Sequence, residues 1–164
     1  MSMIGELNFF LALHIKQNPD GTIILQQKYE KDLIKKFKID ESKEIDTHIA
    51  TATKLDIDGP RSSIDQKLYR SMISSLLYLT TSRPDIVFSV GLFTHFQANP
   101  KESHLIVVKR IQIYLKGSRD LCLWYPKGSN FNVVGYVDAD CAGFLVERKS
   151  TSGMAHFHCS CLVS

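Results

Sequence analysis

The chain has 164 residues, 44% of them hydrophobic and 23% charged, with a formal net charge of +3. That balance excludes wholesale disorder, and a chain of this length can bury ~70% of its unfolded surface, enough for a core. The apolar runs are too short and interrupted to span a bilayer, and the mild basicity permits a polyanionic partner without requiring one.

The first zone is 1–26. Leu7, Phe9, Leu11, Leu13 and Ile15 alternate with Asn8, Phe10, Ala12, His14 and Lys16, which predicts a strand with one buried face. Asn18-Pro19-Asp20-Gly21 predicts a turn, proline presetting one angle and glycine accepting a positive φ. Thr22-Ile23-Ile24-Leu25 then supplies the second strand of a hairpin.

The second zone, 27–120, reads as helical. Tyr29, Leu33 and Phe37 recur every four residues among lysines, the pattern of a short amphipathic helix. Residues 40–63 are polar, are broken by Gly59-Pro60 and read as a connector. Leu68, Met72, Ile73, Leu76, Leu77 and Leu79 give the next helix a wide apolar stripe. Arg83-Pro84-Asp85 has the form of a helix start, and Ile86, Val87, Val90, Phe93 and Phe96 are its expected buried face. Asn99-Pro100-Lys101-Glu102 opens a last helix carrying Leu105, Val108, Ile111, Ile113 and Leu115, closed at Gly117. Several helices with short links predict a small bundle.

The third zone, 121–164, returns to strands. Strands are expected over 121–125, over 131–138 after a turn at 127–130, and over 154–163. The fold class is therefore α+β: an N-terminal β-hairpin, a small helical bundle, then further strands.

Asp138 and Asp140 end an apolar strand, a place where acids often hold Mg²⁺, although an Asx turn explains the same pattern. His156, His158, Cys159 and Cys161 have the residue types of a zinc site. On one continuous strand, however, the histidines face away from the cysteines, which argues against it. Lys35, Lys36, Lys109, Arg110 and Lys116 belong to helices whose cations outnumber their acids. Such faces either track a phosphate backbone or merely solvate a surface. No glycine-rich phosphate loop or nucleophile elbow occurs, and no small-molecule substrate is evident. Met1–Glu6 lack the pattern of a secretory signal. The four cysteines are accordingly expected as free thiols in an intracellular compartment, cytoplasmic or nuclear.

Six segments resemble, in order, the Pol polyprotein of copia-type LTR retrotransposons. They are Phe9–Ile15, Tyr69–Leu79 with Ser82-Arg83-Pro84-Asp85-Ile86, Lys109–Ile111, Tyr114–Gly117, Gly135–Gly143 and Arg148–Gly153. The resemblance implies a primer-grip-like hairpin over 1–26, a thumb- and connection-like helical region over 27–120, and the opening strands of an incomplete ribonuclease H-like sheet over 121–164. It implies reverse transcriptase and ribonuclease H activities for the intact family, with Mg²⁺ as cofactor and a template–primer RNA–DNA hybrid as partner. It makes Asp138 the first metal-binding, catalytic carboxylate, and Lys35, Lys36, Lys109, Arg110 and Lys116 a duplex-contacting surface. The polymerase aspartate pair of the family lies upstream of the hairpin, and its later ribonuclease H carboxylates lie downstream of residue 164. The expectation is a catalytically incomplete fragment, inactive alone and with no functional Mg²⁺ of its own. A non-catalytic duplex-binding module is the alternative. Ala12 and Ser74 stand where the family usually has glycine, Cys141 where it has tryptophan and Val137 where serine is common. Losing a glycine matters if the position needs a positive φ.

Overall fold

A computed structural model describes residues 8–49, 64–128, 132–140, 151–158 and 161–162. The expectations at Gly59-Pro60, Cys141 and Cys159 lie outside these residues. Three strands open the fold: β1 (Phe9–Phe10), β2 (Leu13–Asn18) and β3 (Gly21–Leu25). The predicted single strand over 7–15 is in fact two. Leu11 and Ala12 take φ of 46° and 59°, the left-handed pair of a two-residue turn, and fold β1 back antiparallel onto β2. Pro19-Asp20 makes the next turn, with Asn18 paired to Gly21.

Helix α1 (Gln27–Lys36) buries Glu30, Leu33 and Ile34. Helix α2 (Gln66–Leu79) is capped by Asp65, whose carboxylate accepts from the Lys67 amide at 2.8 Å. Pro84–Ile86 form a single 3₁₀ turn, α3 (Val87–Thr94) continues it, and a second 3₁₀ turn covers His95–Ala98. Helix α4 (Glu102–Gly117) closes the bundle. The core comprises Leu33 of α1, Tyr69, Met72, Ile73, Leu76 and Leu79 of α2, Ile86, Val90, Phe93 and Phe96, and Val107, Val108, Ile111 and Leu115 of α4.

Leu68, Leu77 and Val87, expected inside, are exposed. On α2 the buried stripe runs through Tyr69, Met72, Ile73, Leu76 and Leu79, and the flanking leucines fall outside its arc. Tyr69 takes the place of Leu68, burying its ring while its hydroxyl donates to the Phe93 carbonyl at 2.8 Å. Helix α3 is apolar on all sides, so its pattern alone does not select a buried face.

Strand β4 (Leu123–Pro126), grouped by sequence with the last zone, pairs antiparallel with β3, giving a four-stranded sheet ordered β1-β2-β3-β4. This first sheet therefore joins residues from both sides of the helical bundle. A second sheet contains β5 (Val133–Asp140), β6 (Thr151–His158) and β7 (Cys161–Leu162) in that order. The strand expected over 154–163 is thus also two strands, with His158 paired to Cys161. The two sheets touch where the Tyr125 hydroxyl donates to the Leu162 carbonyl at 3.0 Å. Among the described residues, no helix is long and apolar enough to cross a membrane.

Candidate nucleic-acid interface

Helix α1 turns Glu30, Leu33 and Ile34 inward, and this fixes where its lysines point. Lys28, Lys31 and Lys35 follow at i, i+3 and i+7, one row on the opposite, exposed face. The row is ~10 Å long at 1.5 Å per residue. Lys36 lies beside it, its Nζ 3.4 Å from the Ser71 hydroxyl and 5.1 Å from the Phe37 ring centroid.

The other predicted cations divide. Lys109 is exposed on α4. Arg110 instead donates to the Thr47 carbonyl at 3.2 Å and to its hydroxyl at 2.9 Å. Lys116 donates to the carbonyls of Asp40 and Ser42 at 2.7 and 2.9 Å. These two side chains hold the segment after α1 against α4. Their local role is a tether, which no charge count could have separated from a solvated or phosphate-facing lysine.

The α1 row ends at a cleft of about 400 Å³. Asn8, Phe9, Ala12 and His14 of the hairpin form one wall, and Gln27, Lys28 and Lys31 of α1 the other. Phe9 and His14 are cross-strand partners and so share a face of the sheet. Lys28 Nζ stands 5.7 Å from the Phe9 ring centroid. The Tyr78 hydroxyl of α2 donates to the Leu11 carbonyl and anchors the turn that closes the cleft.

Behind α1 lies a polar network built on Arg83 and Asp85 of the helix start, with Glu30, Tyr114 and Ser118. Arg83 donates from Nη1 to Glu30 Oε1 at 2.9 Å and to the Ser118 carbonyl at 3.1 Å. From Nε and Nη2 it forks onto the two Asp85 oxygens at 3.0 and 2.8 Å, and Nη2 also reaches the Ser118 hydroxyl at 2.6 Å. Tyr114 completes the group by donating to Asp85 Oδ2 at 2.8 Å. Burial pushes the Glu30 carboxyl up, against the pull of Arg83. Burial also acts to raise Asp85, but the hydrogen bonds from Arg83 and Tyr114 and the guanidinium charge outweigh it and hold that carboxyl low. One guanidinium thus links α1, the start of α3 and the end of α4, and it sets the orientation of the lysine row. The available signal was the run Ser82-Arg83-Pro84-Asp85, in which an arginine stands two residues before an acid.

Asp138 lies in β5, paired in register with Gly153, and Asp140 pairs with Thr151. Among the described residues, no group of three or more His, Cys, Asp or Glu could hold a metal ion. The argument against zinc assumed one continuous strand, and the break before β7 removes that premise. The same absence of a donor group covers His156 and Cys161.

No protein-family model and no solved structure matches the chain. It is 34% identical over 148 residues to the retrovirus-related Pol polyprotein from transposon RE1 of Arabidopsis thaliana, covering 90% of this chain and 10% of that protein. It is 34% identical over 135 residues to the corresponding polyprotein from transposon TNT 1-94 of Nicotiana tabacum, covering 78% of this chain and 10% of the polyprotein. An uncharacterized mitochondrial protein of Arabidopsis thaliana is 29% identical over 157 residues, covering 96% of this chain and 65% of its own length. The chain thus spans about a tenth of the length of the transposon polyproteins it matches. Over most of its length, it is a homologue of a segment of the Pol polyproteins of copia-type transposons.

Proposed function

We propose that this chain is the duplex-gripping part of a retrotransposon reverse transcriptase–ribonuclease H polyprotein, and that it holds a template–primer RNA–DNA hybrid without catalysing a reaction itself. One observation carries the reading: Lys28, Lys31 and Lys35 form a single exposed row on α1, rigidly backed by the Arg83 network and ending beside the hairpin. Three cations in a row on a fixed helix match a phosphate backbone, and Lys36 and Lys109 add to the same charge. Arg110 and Lys116 act indirectly, by holding the segment over 40–47 in place. In the longer polyprotein, synthesis of DNA on RNA and cleavage of the RNA strand would be carried by residues outside this chain. Asp138 would contribute one carboxylate to the ribonuclease H site, and one carboxylate cannot assemble a two-ion centre.

The test is titration of a blunt RNA–DNA hybrid across a salt series with Mg²⁺ present and products resolved on a gel. The expected result is binding that weakens steeply with salt and yields no product. The triple change Lys28→Gln, Lys31→Gln and Lys35→Gln is expected to reduce the log–log salt slope by roughly 2 to 3. A triple variant that binds as the parent does, or affinity indifferent to salt, would overturn the reading. Product formation would overturn the non-catalytic assignment.

A further inference from the structure

We propose that the cleft between the β1–β2 hairpin and α1 takes a single unpaired nucleotide of a nucleic-acid strand, its base stacked on Phe9 and its phosphate held by Lys28 and Lys31. This rests on the duplex-gripping reading and extends it, because the lysine row that would follow the backbone runs directly into the cleft.

Size, shape and charge all select this occupant. A volume of about 400 Å³ lies at the lower end of the ~300–1,000 Å³ range typical of small-molecule sites. One nucleotide is on the scale of such a space. Phe9 is 53% exposed and shares its sheet face with His14, so the hairpin wall offers two flat rings. Such rings stack on any base, with little preference for sequence. Facing them, α1 contributes the cations Lys28 and Lys31, and the hairpin contributes the amide of Asn8; Gln27 also lines the cleft, but its Nε2 donates to the Arg119 carbonyl at 3.3 Å. Amides suit base edges, and the two ammonium groups complement a phosphate. The turn at Leu11-Ala12 sets the hairpin wall, held by the Tyr78 hydroxyl bond to the Leu11 carbonyl.

The experiment compares three probes on the intact chain: a blunt RNA–DNA hybrid, the same hybrid with a three-nucleotide overhang containing 2-aminopurine, and free adenosine monophosphate. The overhang is expected to raise affinity about 5-fold or more over the blunt hybrid and to quench 2-aminopurine fluorescence on binding. Phe9→Ala, a change at an exposed ring, is expected to abolish both the gain and the quenching and to lower blunt-hybrid affinity far less than overhang affinity. Lys31→Gln is expected to weaken overhang binding more than blunt binding. Equal affinity for overhang and blunt hybrids, or an equal loss with both in Phe9→Ala, would overturn the proposal while the duplex reading stood. Overhang binding without blunt-hybrid binding would support the cleft and overturn the duplex reading. Displacement of the overhang by an equal concentration of adenosine monophosphate would overturn the assignment to a strand.

Discussion

The Arg83 guanidinium meets the Glu30 carboxylate at 2.9 Å with both side chains only 2% exposed, 53 residues apart in sequence. Because the same guanidinium also forks onto Asp85 and reaches Ser118, one cation is shared by three elements. Removing it leaves the buried Glu30 carboxylate without its cation and deprives the half-buried Asp85 of its bidentate partner. Arg83→Ala is therefore expected to destabilise the chain by ~3–5 kcal/mol in urea unfolding. Arg83→Lys keeps the charge but loses the planar fork, so it should retain only part of that stability. A loss under ~1 kcal/mol for the alanine variant would show that the network does not hold the bundle together.

Gly21 gains its importance from contact rather than from backbone angle. Its φ is not positive, contrary to the turn-based expectation. A Cβ there would lie 2.4 Å from the Tyr125 carbonyl oxygen and 2.7 Å from the Trp124 ring, so β4 packs on bare backbone. Gly21→Ala is expected to cost ~1–3 kcal/mol by overpacking and to shift the emission of Trp124, the sole tryptophan. Unchanged stability and emission would refute the close approach.

Ala12 occupies a left-handed conformation, φ 59°, at a position where the resembling family usually carries glycine. A side chain there costs ~1–2 kcal/mol relative to glycine. Part of that gain is offset by the greater freedom of glycine in the unfolded chain. Ala12→Gly is expected to raise stability by roughly 0.5–1 kcal/mol and to increase Tm, and a lowered Tm would contradict the turn geometry.

His104 is buried against Phe96, ring centroids 3.9 Å apart, and its Nδ1 accepts the Lys101 amide at 3.2 Å. Burial, with the nearby Lys101 charge, holds its pKa below 6.5. The folded state thus takes up its proton later than the unfolded state. The stability due to this group is present above pH ~6.5 and is lost as pH falls through its folded value. His104→Gln is expected to flatten the stability–pH curve in that window, where one proton contributes at most about 1.4 kcal/mol per pH unit. An identical curve in the variant would count against the burial effect.

Local chemistry made much of the fold legible. The turn at Asn18–Gly21, the lysine-rich α1 with its buried stripe and the helical start at Pro84 all depend on contacts within a few residues, and each appears close to where its pattern lies. Where the reading failed, the deciding contact was distant or had no periodic mark. Leu11-Ala12 reads as the middle of an alternating strand, because neither residue signals a left-handed turn. Leu68 and Leu77 are as apolar as their buried neighbours, and only the packing of α2 on α3 and α4 excludes them. Within the candidate site, the cations were visible but their separate roles were not. Lys28, Lys31 and Lys35 share an exposed face, whereas Arg110 and Lys116 are held by carbonyls of a segment more than 60 residues away.

By itself, then, the sequence determined the α+β order of elements, the homology to a transposon Pol segment and the excess of cations on its helices. These properties reside in composition, periodicity and the order of short motifs. Tertiary structure alone decided that β4 joins the N-terminal sheet, that Gly21 must lack a side chain, that Arg83 links three elements, and that the α1 lysines lead into a cleft. Each of these depends on which distant surfaces come together, and that choice follows from burial of the shared core rather than from any local preference of the residues concerned.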